Sequence, residues 1–457
     1  MTESRADVVV LGGGSGGYAA ALRLAELGKD VVLVEKDKLG GTCLHRGCIP
    51  TKALLHAAEV ADAARDAADI GVRASFEGVD PARVRSYREG IVAKKFKGLE
   101  GLISARGIRV VREEGRLEAG PAVRVGDDQY RATDVILATG SYSRTLPGLD
   151  IGGRVLTSEG ALDLDVVPER VVVLGGGVIG VEFASVWRSF GVDVTIVEAL
   201  PHLLPAEDIA SSKALERAFR KRGISFQLGR RFSSVAQTET DVTVTLDDGS
   251  TLDADYVLVA VGRGPATADM GFEEAGVRLE RGFVVADERL RTTAAHVWAV
   301  GDIVPGLQLA HRGFQQGIFV AEEIAGLAPV LVPDVDVPRV AYSHPEVASV
   351  GLTEAQATER FGVDAVRAYE YNLAGNGRSE IIGTSGIVKI VRRVDGPVIG
   401  AHLVGDRVGE LISEAQLAVG WEAHPEDIAP FIHAHPTQSE ALGEAFLALA
   451  GKPLHAL

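Results

Sequence analysis

The 457-residue sequence predicts an α/β fold built on two Rossmann-like βαβ units, followed by a third region that mixes strands and helices. Three observations predict it. "VVVLGGGSGG" at 8–17 and "VVVLGGGVIG" at 171–180 are close copies, and in each an apolar β-branched run ends in G-x-G-x-x-G. Each copy then reads as a helix, a short turn and a second apolar strand, "DVVLVEK" or "VDVTIVEA", ending in an acidic residue. From about Pro333 the chain turns to proline-punctuated segments of both strand and helix character.

The first fingerprint consists of Gly12, Gly14 and Gly17 with Glu35, and the second of Gly175, Gly177 and Gly180 with Glu198, every residue recurring 163 positions later. A lone G-x-G-x-x-G is weak evidence, and glycines can serve only helix–strand packing; here the acid recurs in register with them. Such glycines let amides at a helix N-terminus approach a pyrophosphate, and the acid accepts hydrogen bonds from a ribose. Two units therefore imply two dinucleotides. At the second, a 2′-phosphate about 5 Å from Glu198 would be opposed by roughly 3 kcal/mol per unit charge at an effective dielectric of about 20. The following "ALPHLLP" offers no arginine to receive it, so NAD is favoured over NADP. "DVILATG" (134–140) and "YVLVAVGRGP" (256–265) read as buried strands ending in glycine turns, and "RTLPGLDIGG" (144–153) as a linker. "HVWAVGD" ends a further strand in Asp302 before the helical pattern of "LAHRGFQQGIFVAEEIAGL".

Length suggests about three domains at roughly 150 residues each, enough to bury large cores without disulfide staples. The net charge of -16 argues against nucleic acid and anionic membranes as partners. The longest apolar stretches are interrupted by glycines and Glu182 and fall short of a membrane span. The N-terminal segment is not net basic and its apolar run is broken by glycines, so it reads as mature protein and the chain as cytoplasmic.

Cys43 and Cys48, in "GGTCLHRGCIPTK", are the only two cysteines. In a reducing compartment a structural disulfide is uncommon. Pro50 suits the first position of the helix "PTKALLHAAEVADAARDAA", placing Cys48 at its N-terminal end, where the partial positive charge favours a thiolate. A zinc site needs about four ligands, and only His45 and His56 lie nearby, so no metal is expected. Two inert buried thiols remain an alternative, but a dithiol–disulfide couple beside two dinucleotide sites explains more.

With "GGTCLHRGCIPTK", both fingerprints, "ATG" at 138, "AVGD" at 299, "LAH" at 309, "YSHPEVASVGLTE" at 342 and "HAHPTQSEAL" at 433, the chain resembles the flavoprotein disulfide reductases, the family that includes glutathione reductase and dihydrolipoamide dehydrogenase. The resemblance covers essentially the whole sequence. It implies an FAD-binding domain at 1–145 completed by 267–335, an NAD-binding domain at 146–266 and a C-terminal α+β dimerisation domain at 336–457. FAD would be held by the first fingerprint with Glu35, Lys52, Thr139, Gly140, Asp302 and Ala310, and NAD by the second with Glu198 and Gly262. The implied activity is oxidation of protein-bound dihydrolipoamide with NAD. Cys43 would exchange with substrate, and Cys48 would be the flavin-proximal thiolate.

A substrate thiol is only a few per cent ionised at neutral pH, so a base is needed. The resemblance gives that role to His435, oriented by Glu440 and preceding a cis bond to Pro436. Thr437-x-x-Glu440 is also a capping-box pattern, so Glu440 reads as a cap as well, and His433 reads as structural. Lys52 and Glu182 would form a buried ion pair near the flavin, although either could be a surface charge. In the family the histidine comes from the partner subunit of a homodimer. Implied partners are lipoyl domains and the acyltransferase core of a 2-oxo acid dehydrogenase complex, or a glycine cleavage lipoyl carrier. Three positions depart from the family pattern. Ser15 replaces a common proline and is expected to be harmless. His45 replaces an asparagine close enough to the disulfide to alter thiol ionisation, and Ala266 removes a polar group near the second nucleotide. A reductase of another small disulfide, and a silent dinucleotide-binding scaffold, are the remaining readings.

Overall fold

The computed structural model describes residues 3–455 and divides into two compact units, Met1–Ala53 with Ala82–Arg144 and Arg263–Asp334, and Leu54–Pro81 with Thr145–Gly262 and Val335–Leu457. Both repeated apolar runs are strands at the centres of parallel sheets. In the first unit Glu3–Leu11 lies between Val31–Val34 and Asp128–Leu137, with Arg109–Val111 beyond the former and Val297–Ala299 parallel to the end of the latter. Val8, Val9 and Val10 are fully buried, as strands covered on both faces must be, which is why they read as continuous rather than alternating apolar runs.

The first fingerprint helix, Ser15–Glu26, packs closely against the helix Ala310–Ile324, because glycines line the crossing. A Cβ on Gly317 would stand 2.3 Å from the Gly16 carbonyl oxygen and 2.9 Å from the Ala20 nitrogen. This packing brings "GFQQG", far along the chain, onto the fingerprint helix. Gln316 follows it inward and its Oε1 accepts the N–H of Gly301, at 2.8 Å, beside Asp302.

In the second unit Arg170–Leu174 lies between Asp193–Glu198 and Tyr256–Val259, with Ser225–Leu228 and Val155–Leu156 outermost, all parallel. An antiparallel three-stranded sheet, Phe232–Gln237, Val242–Leu246 and Thr251–Ala254, completes this lobe. The C-terminal region forms a five-stranded antiparallel sheet ordered Arg339–Ala341, Glu346–Gly351, Val398–Gly405, Ile387–Arg393, Val366–Asn372. The helices Val408–Gly420 and Glu440–Leu449 share its core through Ile412, Ala415, Leu442 and Phe446. Asp208 caps the helix Ile209–Arg222 through the Ala210 amide and takes the Lys389 ammonium of this sheet at 2.8 Å. Both groups are buried and Lys389 also meets Glu354 at 2.7 Å, so losing Lys389 would leave the buried Asp208 charge without its ammonium partner. Among the described residues no helix is long and apolar enough to cross a membrane.

The helix crossing predicts that Gly317→Ala, by overpacking, lowers stability by about 1–3 kcal/mol, seen as a lower urea midpoint. Gly90→Ala, on the exposed face of the helix Pro81–Ala105 with nothing within 4 Å of the added carbon, is the control and is expected to leave the midpoint unchanged or raised. An unchanged midpoint for Gly317→Ala would show that the two helices separate without cost.

Candidate active site

The two fingerprints fold into nearly superimposable turns. Gly12 and Gly175 have φ of +107° and +108°, and a Cβ on either would lie within 2.4 Å of a carbonyl oxygen, that of Ala138 or Ala260. Gly14 and Gly177 then precede their helices in extended conformation, without a side-chain cap and without an acid in the first helical turn. Each helix thus offers first-turn N–H groups that no side chain of its cap satisfies, a setting suited to a diphosphate. The acids close both sites alike. Glu35 accepts the N–H of Gly13 at 2.7 Å and of Asp37 at 2.8 Å, and Glu198 those of Gly176 and Leu200, each at 2.7 Å. This chain's residues therefore fit two dinucleotides. Arg230, distant in sequence, donates its backbone N–H to the Glu198 carbonyl at 3.1 Å, while its guanidinium is paired with Asp248.

Around the first fingerprint, Asp302 sits in a short 3₁₀ turn and accepts the Ser141 hydroxyl, which in turn accepts Arg263 Nε at 2.7 Å. Thr139 donates its hydroxyl to the Ala266 carbonyl at 2.6 Å, and the Ala266 N–H donates to Gly140 at 2.9 Å. Position 266 thus belongs to the first unit, joined to the "ATG" turn, and its backbone is used there. Ala310 is the first residue of its helix, and Gly140 and Gly262 have φ of +78° and +99°, with open space where a side chain would stand.

Cys43 lies in the one-turn helix Gly41–His45, and Cys48 begins the helix Cys48–Asp66 two residues earlier than Pro50 would set it. The loop between strand and thiols is tied to the fingerprint by the Gly40 N–H, which donates to the Gly13 carbonyl at 2.8 Å. Both cysteines are half-buried thiols. A hydrogen bond with Cys48 and burial push the Cys43 thiol up, while the Lys52 charge and the Ser15 hydroxyl pull it down. Tyr18 lies beside the pair; burial first, and then the two thiols, push its phenol up to about 12. Ser15, read from sequence as harmless, is thus part of the thiol environment. His45 Nε2 is bonded to the Leu39 carbonyl at 2.9 Å and its ring is edge-on to Phe96. Among the described residues no cluster of three His, Cys, Asp or Glu could hold a metal.

In the second unit Glu182 is buried in the helix Val178–Ser189 and accepts the Tyr342 N–H at 2.9 Å. The loop before the helix Glu440–Leu449 holds the histidines, with a cis bond between His435 and Pro436. Glu440 Oε1 meets His435 Nδ1 at 2.8 Å and Oε2 accepts the Thr437 N–H at 2.8 Å. Burial pushes the Glu440 carboxyl up, but these two bonds outweigh it and hold it below its ordinary value. A carboxylate only accepts, so His435 Nδ1 donates, and in the neutral form of the exposed ring Nε2 is the acceptor. Only half of the capping box forms: the Thr437 hydroxyl donates to the Ala434 carbonyl, and Ser439 precedes the helix. Glu440 therefore both orients the ring and ties the loop. His433, half-buried, bonds Glu414 at 2.8 Å.

Sequence reasoning missed Ser141, Arg263 and Tyr18. The first two sit in the "ATGS" and "GRGP" turns already marked as strand ends, but only strand pairing brings them together.

A chain with this architecture, two fingerprints and a cysteine pair belongs to the pyridine nucleotide-disulphide oxidoreductase family: residues 6–317 match that family's model and 337–446 its dimerisation domain. It is an oxidoreductase. Within the family it is 40% identical to a dihydrolipoyl dehydrogenase of Bacillus subtilis, covering 98% of this chain and 99% of that one. It is 39% identical to the dihydrolipoyl dehydrogenase of Geobacillus stearothermophilus, with 98% and 97% covered. Among solved structures, LpdA from Mycobacterium tuberculosis matches with a TM-score of 0.90 at 29% identity, over 98% of this chain and 99% of that one. The HOCl-induced flavoprotein disulfide reductase RclA from Escherichia coli matches at 0.86 and 29%, over 96% and 99%.

The His433–Glu414 pair gives a pH test. The bond to Glu414 raises the His433 pKa against the opposing effect of burial, so its stabilisation is full below the unfolded value of about 6.5 and is lost as pH rises through the folded one. The urea midpoints of the wild type and Glu414→Gln should therefore differ more at pH 5.5 than at pH 9. A gap that does not narrow with rising pH would mean that the pair holds no proton.

Proposed function

We propose that this chain oxidises protein-bound dihydrolipoamide to lipoamide with NAD as acceptor, using FAD and a Cys43–Cys48 redox disulfide. The observation that supports it most is the hydrogen-bonded cysteine pair at the helix start beside Lys52, in a chain so similar to dihydrolipoyl dehydrogenases along its length. Residues 1–145 with 267–335 bind FAD, 146–266 bind NAD, and 336–457 form the interface of a homodimer. The lipoyl domains and acyltransferase core of a 2-oxo acid dehydrogenase complex, or a glycine cleavage lipoyl carrier, present the substrate in the cytoplasm.

FAD is held by Gly12, Gly14, Gly17, Glu35, Lys52, Thr139, Gly140, Asp302 and Ala310, with Ser141 and Arg263 fixing Asp302. NAD is held by Gly175, Gly177, Gly180, Glu198 and Gly262. When bound, FAD supplies the two-electron relay between the dithiol pair and NAD.

The chain's own residues do the thiol chemistry. A substrate thiolate attacks the Cys43 sulfur of the oxidised pair; the disulfide breaks, and Cys48 leaves as a thiolate favoured by its helix N-terminus. His435 of the partner subunit takes the proton of the second substrate thiol at Nε2, while Glu440 of the partner subunit stabilises the charged ring. That second thiolate attacks the substrate sulfur joined to Cys43 and displaces the Cys43 thiolate. Substrate leaves with a disulfide, and the pair is left reduced by two electrons.

The test is to mix purified holoprotein anaerobically with dihydrolipoamide and then add NAD or NADP. NADH formation that Cys48→Ser abolishes is expected. No reaction with dihydrolipoamide, but reduction of the pair by NADH, would move the substrate to another small disulfide. In a second experiment, Glu198→Ser should narrow the preference for NAD over NADP by about tenfold or more, half or more of the Coulomb opposition of roughly 3 kcal/mol. An unchanged ratio of kcat/KM values would assign the discrimination elsewhere.

A further inference from the structure

His435 is exposed on an irregular stretch between the helices Pro425–Ile428 and Glu440–Leu449, flanked by Phe431 and by Ile432 at 98% exposure. Such a loop has little packing of its own to fix a ring. What fixes it comes from a segment more than 50 residues upstream. Asn376 is buried at 4% exposure, and its Nδ2 donates to the Thr437 carbonyl at 3.0 Å. Its Oδ1 accepts both the N–H and the hydroxyl of Ser379, each at 2.9 Å, capping the short helix Gly377–Ile381. The amide is thereby locked with its donor aimed at the loop. The Thr437 N–H meets Glu440 Oε2, and Glu440 Oε1 meets His435 Nδ1.

The same segment supplies a second, less direct tie. The Thr384 hydroxyl accepts the Asp406 N–H at 2.9 Å, and the Asp406 carbonyl accepts Gln438 Nε2 at 2.9 Å. The adjacent residues 437 and 438, just before Glu440, are thus both held from residues 376–384.

Resting on the base assignment above, we propose that Asn376 is a positioning residue for the dithiol half-reaction: through the Thr437 carbonyl it sets where Glu440 stands, and so where His435 Nε2 points. It touches neither Glu440 nor His435. Loss of its donor frees the Thr437 carbonyl to rotate, carrying with it the residue whose N–H anchors one oxygen of Glu440. General-base catalysis demands placement within hydrogen-bond reach, so a small displacement costs rate without removing any catalytic group.

The experiment is rapid-mixing kinetics of the holoprotein in its two halves, reduction by dihydrolipoamide and reoxidation by NAD. Asn376→Ala removes both bonds; Asn376→Asp keeps the cap on Ser379 but sets an oxygen against the Thr437 carbonyl, so it reports even where Asn376→Ala does not fold. Each variant is made in the wild type and in a His435→Ala background. We expect the dithiol half-reaction to slow about tenfold in the wild type and less than twofold in the His435→Ala background, with reoxidation by NAD within twofold of normal. Equal slowing in both backgrounds, slowing of both halves, or no slowing would overturn the proposal. If His435→Ala itself leaves the dithiol half-reaction unchanged, the base assignment fails; a large His435 effect with a silent Asn376 overturns the positioning role alone.

Discussion

The constraint on which the rest of this structure depends is the bare backbone at the two places where a parallel strand passes directly into a helix. A side chain on Gly12 or Gly175 would strike the carbonyl of the neighbouring strand, and one on Gly17 or Gly180 the carbonyl of the first glycine of its own fingerprint. Without side chains there, each helix begins hard against the sheet and its leading amides face outward. The glutamate ending the next strand fixes the middle glycine of each turn by accepting its N–H. That bond keeps the turn in shape while leaving the amides of the helix N-terminus free of side-chain caps, so loop geometry and an anion-ready helix end share one set of atoms.

The thiol site is hung from this first turn. The Gly40–Gly13 backbone bond brings the Cys43 helix against the fingerprint, which is how Ser15 and Tyr18, residues of the fingerprint helix, come to flank the cysteines. Opposing influences meet on Cys43: its partner thiol and burial favour the protonated form, while Lys52 and Ser15 favour the thiolate. Cys48 instead begins a helix of 19 residues, a fixed electrostatic setting that sequence position alone provides. The two sulfurs differ because they stand on different elements, and the division of labour proposed for them follows that difference.

The histidine proposed as the base presents the contrary problem, since a ring that is to reach a substrate cannot be buried to be held still. The chain meets it with hydrogen bonds between loop and core: Glu440 spans His435 and Thr437, Asn376 takes the next carbonyl, and Gln438 reaches Asp406. His433 adds a paired anchor at Glu414 on a neighbouring helix. Rigidity is thereby supplied from beneath while the ring remains exposed.

The repeat, both acids and the cysteine pair at a helix start were legible in the sequence, because each is a local pattern whose geometry is fixed within one strand–turn–helix or one loop; the His–Glu pair in "HAHPTQSE" was legible only through the family resemblance. The helix of Cys48 differs only in starting two residues early, since the cysteine's backbone already takes the helical turn before Pro50. Contacts between distant segments were not legible. Ser15 faces Cys43, Ala266 gives its carbonyl to Thr139, Arg263 holds Ser141 and Asn376 holds Thr437 only because strand pairing and helix packing bring together residues separated by 28 to 127 positions. His45, between the thiols in sequence, is held at Nε2 by the Leu39 carbonyl. The sequence by itself determined which chemistry the chain has and on which local element each group stands. The tertiary structure alone decided which of these groups meet, because hydrogen-bond partners across a fold are set by packing, and spacing along the chain does not encode it.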